Sequence, residues 1–215
     1  MKKKIIIACS KKWFLKSKDV KRFLKKKNVI LITNKNKFNE RTLSKIKPDI
    51  IFFPHWSYKV NKKIVNKFNC ICFHTAPLPF GRGGSPIQNL IVRNFEKSPV
   101  CAIKMIDQID AGPIYMKRNI KLNGNLTLIF QRISSKIIEM IKTLTVKEIK
   151  PKRQTGKVYK FNRIAESESE IKKENNIKKI YDKIRMLDAE NYPNAYIKNN
   201  NLKIFFYNPI LKNNS

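Results

Sequence analysis

Short apolar runs alternate with lysine-rich amphipathic stretches along the first two thirds of the chain. Residues 4–9 contain IIIAC, a continuous apolar run that suits a strand buried on both faces. Across 13–27, Trp13, Phe14, Val20, Phe23 and Leu24 recur among lysines, a helical pattern. NVILIT at 28–33 reads as a second strand, followed by a loop and a short helix. Asp49 leads IIFF, a third buried strand, which ends at Pro54-His55-Trp56-Ser57. A short helix at 59–68 precedes CICF, a fourth strand ending at His74. The loop PLPFGRGGSP follows, then a helix over 85–94 with Pro86 in its first turn, where a missing N–H costs nothing. VCAIKMI at 100–106 reads as a fifth strand, expected to run parallel to the fourth. A loop at 107–112, an edge or antiparallel strand at 114–120 and a long amphipathic helix over 125–149 complete this part.

The pattern changes at Lys150. Residues 151–175 are polar and read as an exposed connector. Ile177, Ile180, Tyr181, Ile184 and Leu187 then predict a helix over 176–187, and AYIKNNNLKIFFY reads as a hairpin around an Asn-rich turn. Strands alternating with helices argue for α/β architecture with right-handed crossovers. The expected fold is a Rossmann-like, mostly parallel sheet flanked by helices, with a small C-terminal helix plus β-hairpin appendage. The expected domains are a catalytic one at 1–150 and a connector with small subdomain at 151–215.

Composition narrows the function. With 215 residues and 42% hydrophobic content the chain can bury one sizeable core. No apolar run approaches the ~20 residues of a membrane span, and the N-terminal run is interrupted by Lys11 and Lys12, so the expectation is a cytoplasmic protein with no membrane partner. The four cysteines lie in strand-like runs and read as small buried hydrophobes. Cys70, Cys72 and His74 alternate along one side of a strand, but a straight strand spreads them over roughly 13 Å, too far for one ion, so no metal is expected. Lys and Arg number 47 against 15 acidic residues, a net charge of +32. That invites a nucleic-acid reading. The excess is nearly all lysine, spread along the chain beside abundant asparagine, as genomic bias alone would produce, and basic-aromatic clusters are missing. The first turn, ACSKKW, carries neither a dinucleotide fingerprint nor a phosphate loop.

Chemistry concentrates at His74. A histidine at a strand end can act as a base near neutral pH, helped by a carboxylate that offsets its charge. Asp110, in the loop after the next strand, is the candidate partner; a turn residue before Gly112 is the alternative. Arg82 could bind a phosphate or carboxylate or lie solvated.

HTAPLPFGRGGSPIQ, followed by IKMIDQIDAGPIYMK, resembles the formyltransferase family that uses 10-formyltetrahydrofolate. His74, Leu78-Pro79, Arg82-Gly83, Pro86-Ile87-Gln88, Ile109-Asp110 and Gly112 fall on its pattern in order. The resemblance implies transfer of a formyl group to an amine, with His74 as base and Asp110 as its partner. It implies a folate site at Trp56, Ser57, Asp107 and Gln108; a core residue is the alternative for Trp56. It also implies acceptor contacts from the loop, at Arg82, Gly83 and Gln88. Phe161-Asn162-Arg163 and KIYDKIRMLDAENYPNAYI resemble the C-terminal region of sugar N-formyltransferases, where Arg185 and Tyr192 hold substrate-facing places. One position departs. The family carries Asn two residues before the histidine; here it is Cys72, and a thiol is a poor oxyanion donor. His55, Ser57 or a loop N–H is the expected replacement.

The tail looks too short for a tRNA-binding barrel, and ACSKKW is not the phosphate loop of the glycinamide ribonucleotide enzymes. The expected acceptor is therefore a nucleotide-linked amino sugar, as in polysaccharide biosynthesis. A methionyl-tRNA formyltransferase-like enzyme and a non-catalytic binding module are the alternatives. The C-terminal hairpin edge would allow a homodimer.

Overall fold

The computed structural model of the chain describes residues 2–173, 176–190 and 192–212. Its centre is a six-stranded sheet. Strands β1 (Ile5–Ala8), β2 (Val29–Ile32), β3 (Ile50–Phe53) and β4 (Cys70–His74) are mutually parallel. Strands β6 (Lys97–Lys104) and β7 (Ile114–Lys121) complete the order β2-β1-β3-β4-β6-β7. All four residues of β1 and of β3 are buried, as continuous apolar runs require when both faces are covered.

Alternation along the strands builds two cores. Ile5, Ile7, Phe52, Ile71 and Phe73 face one side, with helices α1 (Lys12–Lys16), α2 (Lys18–Leu24) and α6 (Leu126–Val146). Ile6, Ala8, Ile51, Phe53 and Cys70 face the other, under α3 (Glu40–Ile46) and α4 (Lys62–Lys67). The stretch expected as one helix at 13–27 is broken at Ser17, whose ψ of 135° is not helical. Asn125 starts α6 by accepting the Leu128 N–H, and ten apolar or small residues of that helix are buried.

Strand β6 corrects the sequence expectation. It runs antiparallel to β4, with His74 opposite Cys101 and Ile71 opposite Lys104. The helix counted as a crossover, α5 (Pro86–Ile91), has six residues and spans about 9 Å, too little to return the chain along the sheet. The chain therefore re-enters the sheet at the end it left. Strand β7 is antiparallel to β6, the edge strand the pattern suggested.

Residues 151–173 are mostly exposed but touch the core at buried Phe161, Ser169 and Ile171. Strand β8 (Tyr159–Phe161) pairs in parallel with β5 (Phe80–Gly83), inside the Gly-rich loop. Helix α7 (Ile177–Arg185) is capped by Asn176, and the hairpin of β9 (Ala195–Asn199) and β10 (Leu202–Phe206) turns at Asn200, φ +50°. Ile171, Ile184, Met186, Leu187 and Ala195 share the core cluster that holds Ile5, Ile7 and α6. Among the described residues no helix is long and apolar enough to cross a membrane.

Candidate active site

His74 ends β4 and is 8% exposed. Its Nε2 lies 2.7 Å from the Gly81 carbonyl oxygen. That oxygen can only accept, so the contact puts a proton on Nε2 and leaves Nδ1 to receive one. Nδ1 lies 3.4 Å from Oδ2 of Asp110. The expected pair thus forms, though by another route than parallel topology implied. The carboxyl end of β6 lies beside the start of β4, and the loop that follows turns back toward His74. Asp110 has φ +53°, a left-handed conformation that side chains with a Cβ adopt at a cost.

The Gly-rich loop is the scaffold of this pair. Gly81 holds His74, and the Gly83 N–H donates to Asp110 Oδ2 at 3.0 Å. Gly83 has φ +102°, and a Cβ there would meet the Phe161 carbonyl oxygen at 2.6 Å. Arg82 donates through Nε and Nη2 to Gln154 Oε1, at 3.0 and 2.7 Å.

A cavity of about 580 Å³ opens beside the pair. Phe53, Val60, Val65, Met105 and Ile106 give it apolar walls, and His74, Asp110 and Cys72 line it with polar groups. His55, Trp56, Ser57, Asp107 and Gln108, all singled out in the sequence, line it too. Trp56 packs on Phe38, Phe53 and Tyr58. Asp107 pairs with Lys62 across 3.1 Å. Ser57 is held by Ser10, whose Oγ accepts the Ser57 N–H at 3.0 Å and donates to the His55 carbonyl at 3.0 Å.

His55 lies two residues beyond β3, at φ +60°. Trp13 packs on its ring with centroids 4.4 Å apart. Its Nε2 is buried with no partner among the described residues. Burial, reinforced by Lys11 and His74, lowers its pKa to about 3, so the ring is neutral in ordinary buffers. Burial, with the Asp110 charge adding to it, pushes the Cys72 thiol well above its ordinary pKa. Burial likewise pushes Cys70 up to about 12 and Cys101 to about 11.

Arg82, Gly83, Gln88, Arg185 and Tyr192 do not line this cavity. Gln88 is buried and donates to the Met186 carbonyl. Arg185 is buried, pairs with Asp182 at 2.6 Å and donates to the carbonyls of Leu122 and Gly124. Tyr192 packs on Phe130, and burial raises its pKa. These three dock the C-terminal segment. The sequence carries no sign of Gly81, Ser10 or Gln154 as site residues, because a backbone carbonyl has no side-chain signature and the other two stand in loops; Trp13 reads there only as part of an amphipathic helix, and it lies on α1. Among the described residues no group of three His, Cys, Asp or Glu could hold a metal ion.

Comparison with known proteins identifies the lineage. Residues 166–215 match the family model described as methionyl-tRNA formyltransferase, C-terminal domain. A solved structure, methionyl-tRNA formyltransferase from Clostridium thermocellum, is 41% identical with a TM-score of 0.92, covering 98% of this chain and 94% of that one. The chain belongs to the formyltransferase family that includes the methionyl-tRNA formyltransferases. The curated methionyl-tRNA formyltransferase of Thermotoga maritima is 27% identical over 175 residues, 76% of this chain and 55% of that protein. The chain thus spans about half the length of the curated relatives it matches. A 4-N formyltransferase from Francisella tularensis shares the fold, with 18% identity, a TM-score of 0.73 and 98% coverage of both chains.

Proposed function

We propose that the chain is an N-formyltransferase that moves a formyl group from 10-formyltetrahydrofolate to the amine of a nucleotide-linked amino sugar. The observation that carries formyl transfer is the His74–Asp110 pair in the wall of a cavity lined by both apolar and polar side chains. A cavity of about 580 Å³ is of a size that takes a small organic molecule. Aromatic Trp56 and the 107–110 loop suit a flat folate ring, with Ser57, Asp107 and Gln108 as polar partners.

The donor supplies the formyl carbon; this chain's residues manage the proton and the charge. With Nε2–H committed to Gly81, Nδ1 of His74 takes the proton that the attacking amine sheds as its C–N bond forms. Asp110, beside Nδ1, stabilises the resulting imidazolium. His74 then returns that proton to the departing folate nitrogen as the old C–N bond breaks. Negative charge gathers meanwhile on the formyl oxygen. A thiol at Cys72 is a weak donor to it. His55 is the other candidate: a neutral imidazole that lines the same cavity, whose buried, unpartnered Nε2 reaches the formyl oxygen when the ring turns toward the cavity.

The sugar reading is supported by the fold shared over nearly the whole of both chains with a sugar N-formyltransferase from Shewanella sp, 17% identical with a TM-score of 0.73. A second reading, formylation of methionyl-tRNA, is favoured by the 41% identity to the Clostridium thermocellum protein and by the +32 charge, which suits a polyanion. Incubation with the folate donor and, separately, nucleotide-linked amino sugars and methionyl-tRNA, read by mass, tests both. Formyl gain on a sugar nucleotide is expected. Product only with the tRNA moves the assignment to the second reading. No product with any acceptor together with no folate binding rejects the enzyme reading.

A further inference from the structure

We infer that Gln154 is a positioning residue that holds Asp110 against His74, an inference that rests on the proposed role of that pair. The side-chain amide of Gln154 uses its whole hydrogen-bonding capacity. Its Oε1 accepts from Arg82 Nε at 3.0 Å and Nη2 at 2.7 Å. Its Nε2 donates to the backbone oxygens of Asp110 at 2.7 Å and Gly112 at 2.9 Å. A carboxamide has two donors and two acceptor lone pairs, and all four are spent here.

The amide joins the two segments that make the catalytic pair. On one side lies the Gly-rich strand: Arg82 is bound by Gln154, and the next residue, Gly83, donates to Asp110 Oδ2. On the other side lies the 110–112 loop, whose carbonyls Gln154 binds. The contacts close a ring: Gly83 to the Asp110 carboxylate, the Asp110 carbonyl to Gln154, Gln154 to Arg82. Asp110 needs such bracing because its left-handed backbone at φ +53° is unfavourable on its own. Gln154 is anchored in turn. Lys152 exchanges backbone hydrogen bonds with Ile114, N–H to O at 2.9 Å and O from N–H at 2.7 Å, which fixes the segment beside the start of β7.

No other residue type fits the four contacts as well. A glutamate keeps the Arg82 pairing but turns a lone pair toward each carbonyl of 110 and 112. An asparagine is one methylene shorter, against two partners on each side. Arg82, expected to bind substrate, thereby has a second role in bracing the aspartate.

The test uses the full chain with Gln154→Glu and Gln154→Leu, assayed for formyl transfer. Both lower kcat by about tenfold or more, with any rise in KM for the folate donor smaller than the fall in kcat, since Gln154 holds the aspartate directly and reaches the folate-facing loop only through it. In an Asp110→Asn background, Gln154→Leu adds less than about a twofold further loss, because it acts through the missing carboxylate. Hydrogen exchange over 107–113 is expected to quicken in both variants, whatever the acceptor. Gln154→Glu keeps the Arg82 pairing and carries the test should Gln154→Leu not fold. Unchanged kcat in both variants, losses that multiply in the Asp110→Asn background, or unchanged exchange overturns the inference. A wild-type chain that forms no product rejects the proposed function instead, and the exchange measurement then decides on Gln154 alone.

Discussion

The two nitrogens of His74 have unequal tasks. Gly81 fixes one as a donor, and Asp110 attends the other. Replacing His74 by Ala is expected to lower kcat by about 10²–10⁴-fold, the usual share of a general base. His55→Ala is expected to cost about 10²-fold in kcat if its ring faces the formyl oxygen; full turnover in that variant with loss in His74→Ala would exclude His55 as donor. His55 also leaves a mark on stability. Its pKa of about 3 lies below the ordinary histidine value of 6.5. Between those limits the unfolded chain binds a proton that the folded chain refuses, so stability falls as pH falls, by at most about 1.4 kcal/mol per pH unit from this residue. Urea titrations from pH 7 to 4 should give a shallower decline for His55→Gln than for the wild type. His74 and Asp110 were legible in the sequence because each stands in a recognisable short motif. Gln154 was not: it lies 44 positions from Asp110, and only the folded chain brings them together.

At the scale of elements, periodicity reported the strands and helices well where an apolar face was long, as in α6. It could not report strand direction. The apolar run of β6 reads the same either way, and the deciding fact was that α5 is too short for a crossover. The polar composition of 151–173 likewise hid its pairing with β5, because β8 depends on backbone hydrogen bonds and one buried ring, Phe161. Three variants test how elements pack. Asp182→Ala leaves Arg185 buried without its carboxylate and is expected to cost about 3–5 kcal/mol in urea unfolding. The double change Asp182→Leu with Arg185→Met recovers much of that loss, since buried pairs are often replaceable by apolar groups. Gly112→Ala places a Cβ 1.8 Å from the Lys104 carbonyl oxygen. It is expected to displace the 110–112 loop and lower both melting temperature and kcat.

Over the whole molecule, residues from both ends of the chain enter one core. Ile5 and Ile7 share it with Ile184, Leu187 and Ala195, so the boundary expected near residue 150 divides the sequence by composition while the packing crosses it. Trp13 reports the α6 side and Trp56 the cavity wall. Their fluorescence and the circular dichroism of the helices are expected to change at one common denaturant midpoint; separate midpoints would mean two units. The substrate class was the least legible feature, because acceptor recognition is spread over loops with no shared short motif. The central claim is that His74, paired with Asp110, carries formyl transfer. The most direct measurement is formyl gain on an amine acceptor, by mass, from 10-formyltetrahydrofolate with wild type, His74→Ala and Asp110→Asn side by side. The account predicts product with the wild type and a loss of about 10²-fold or more in both variants. Folate binding with undiminished transfer in either variant would contradict it.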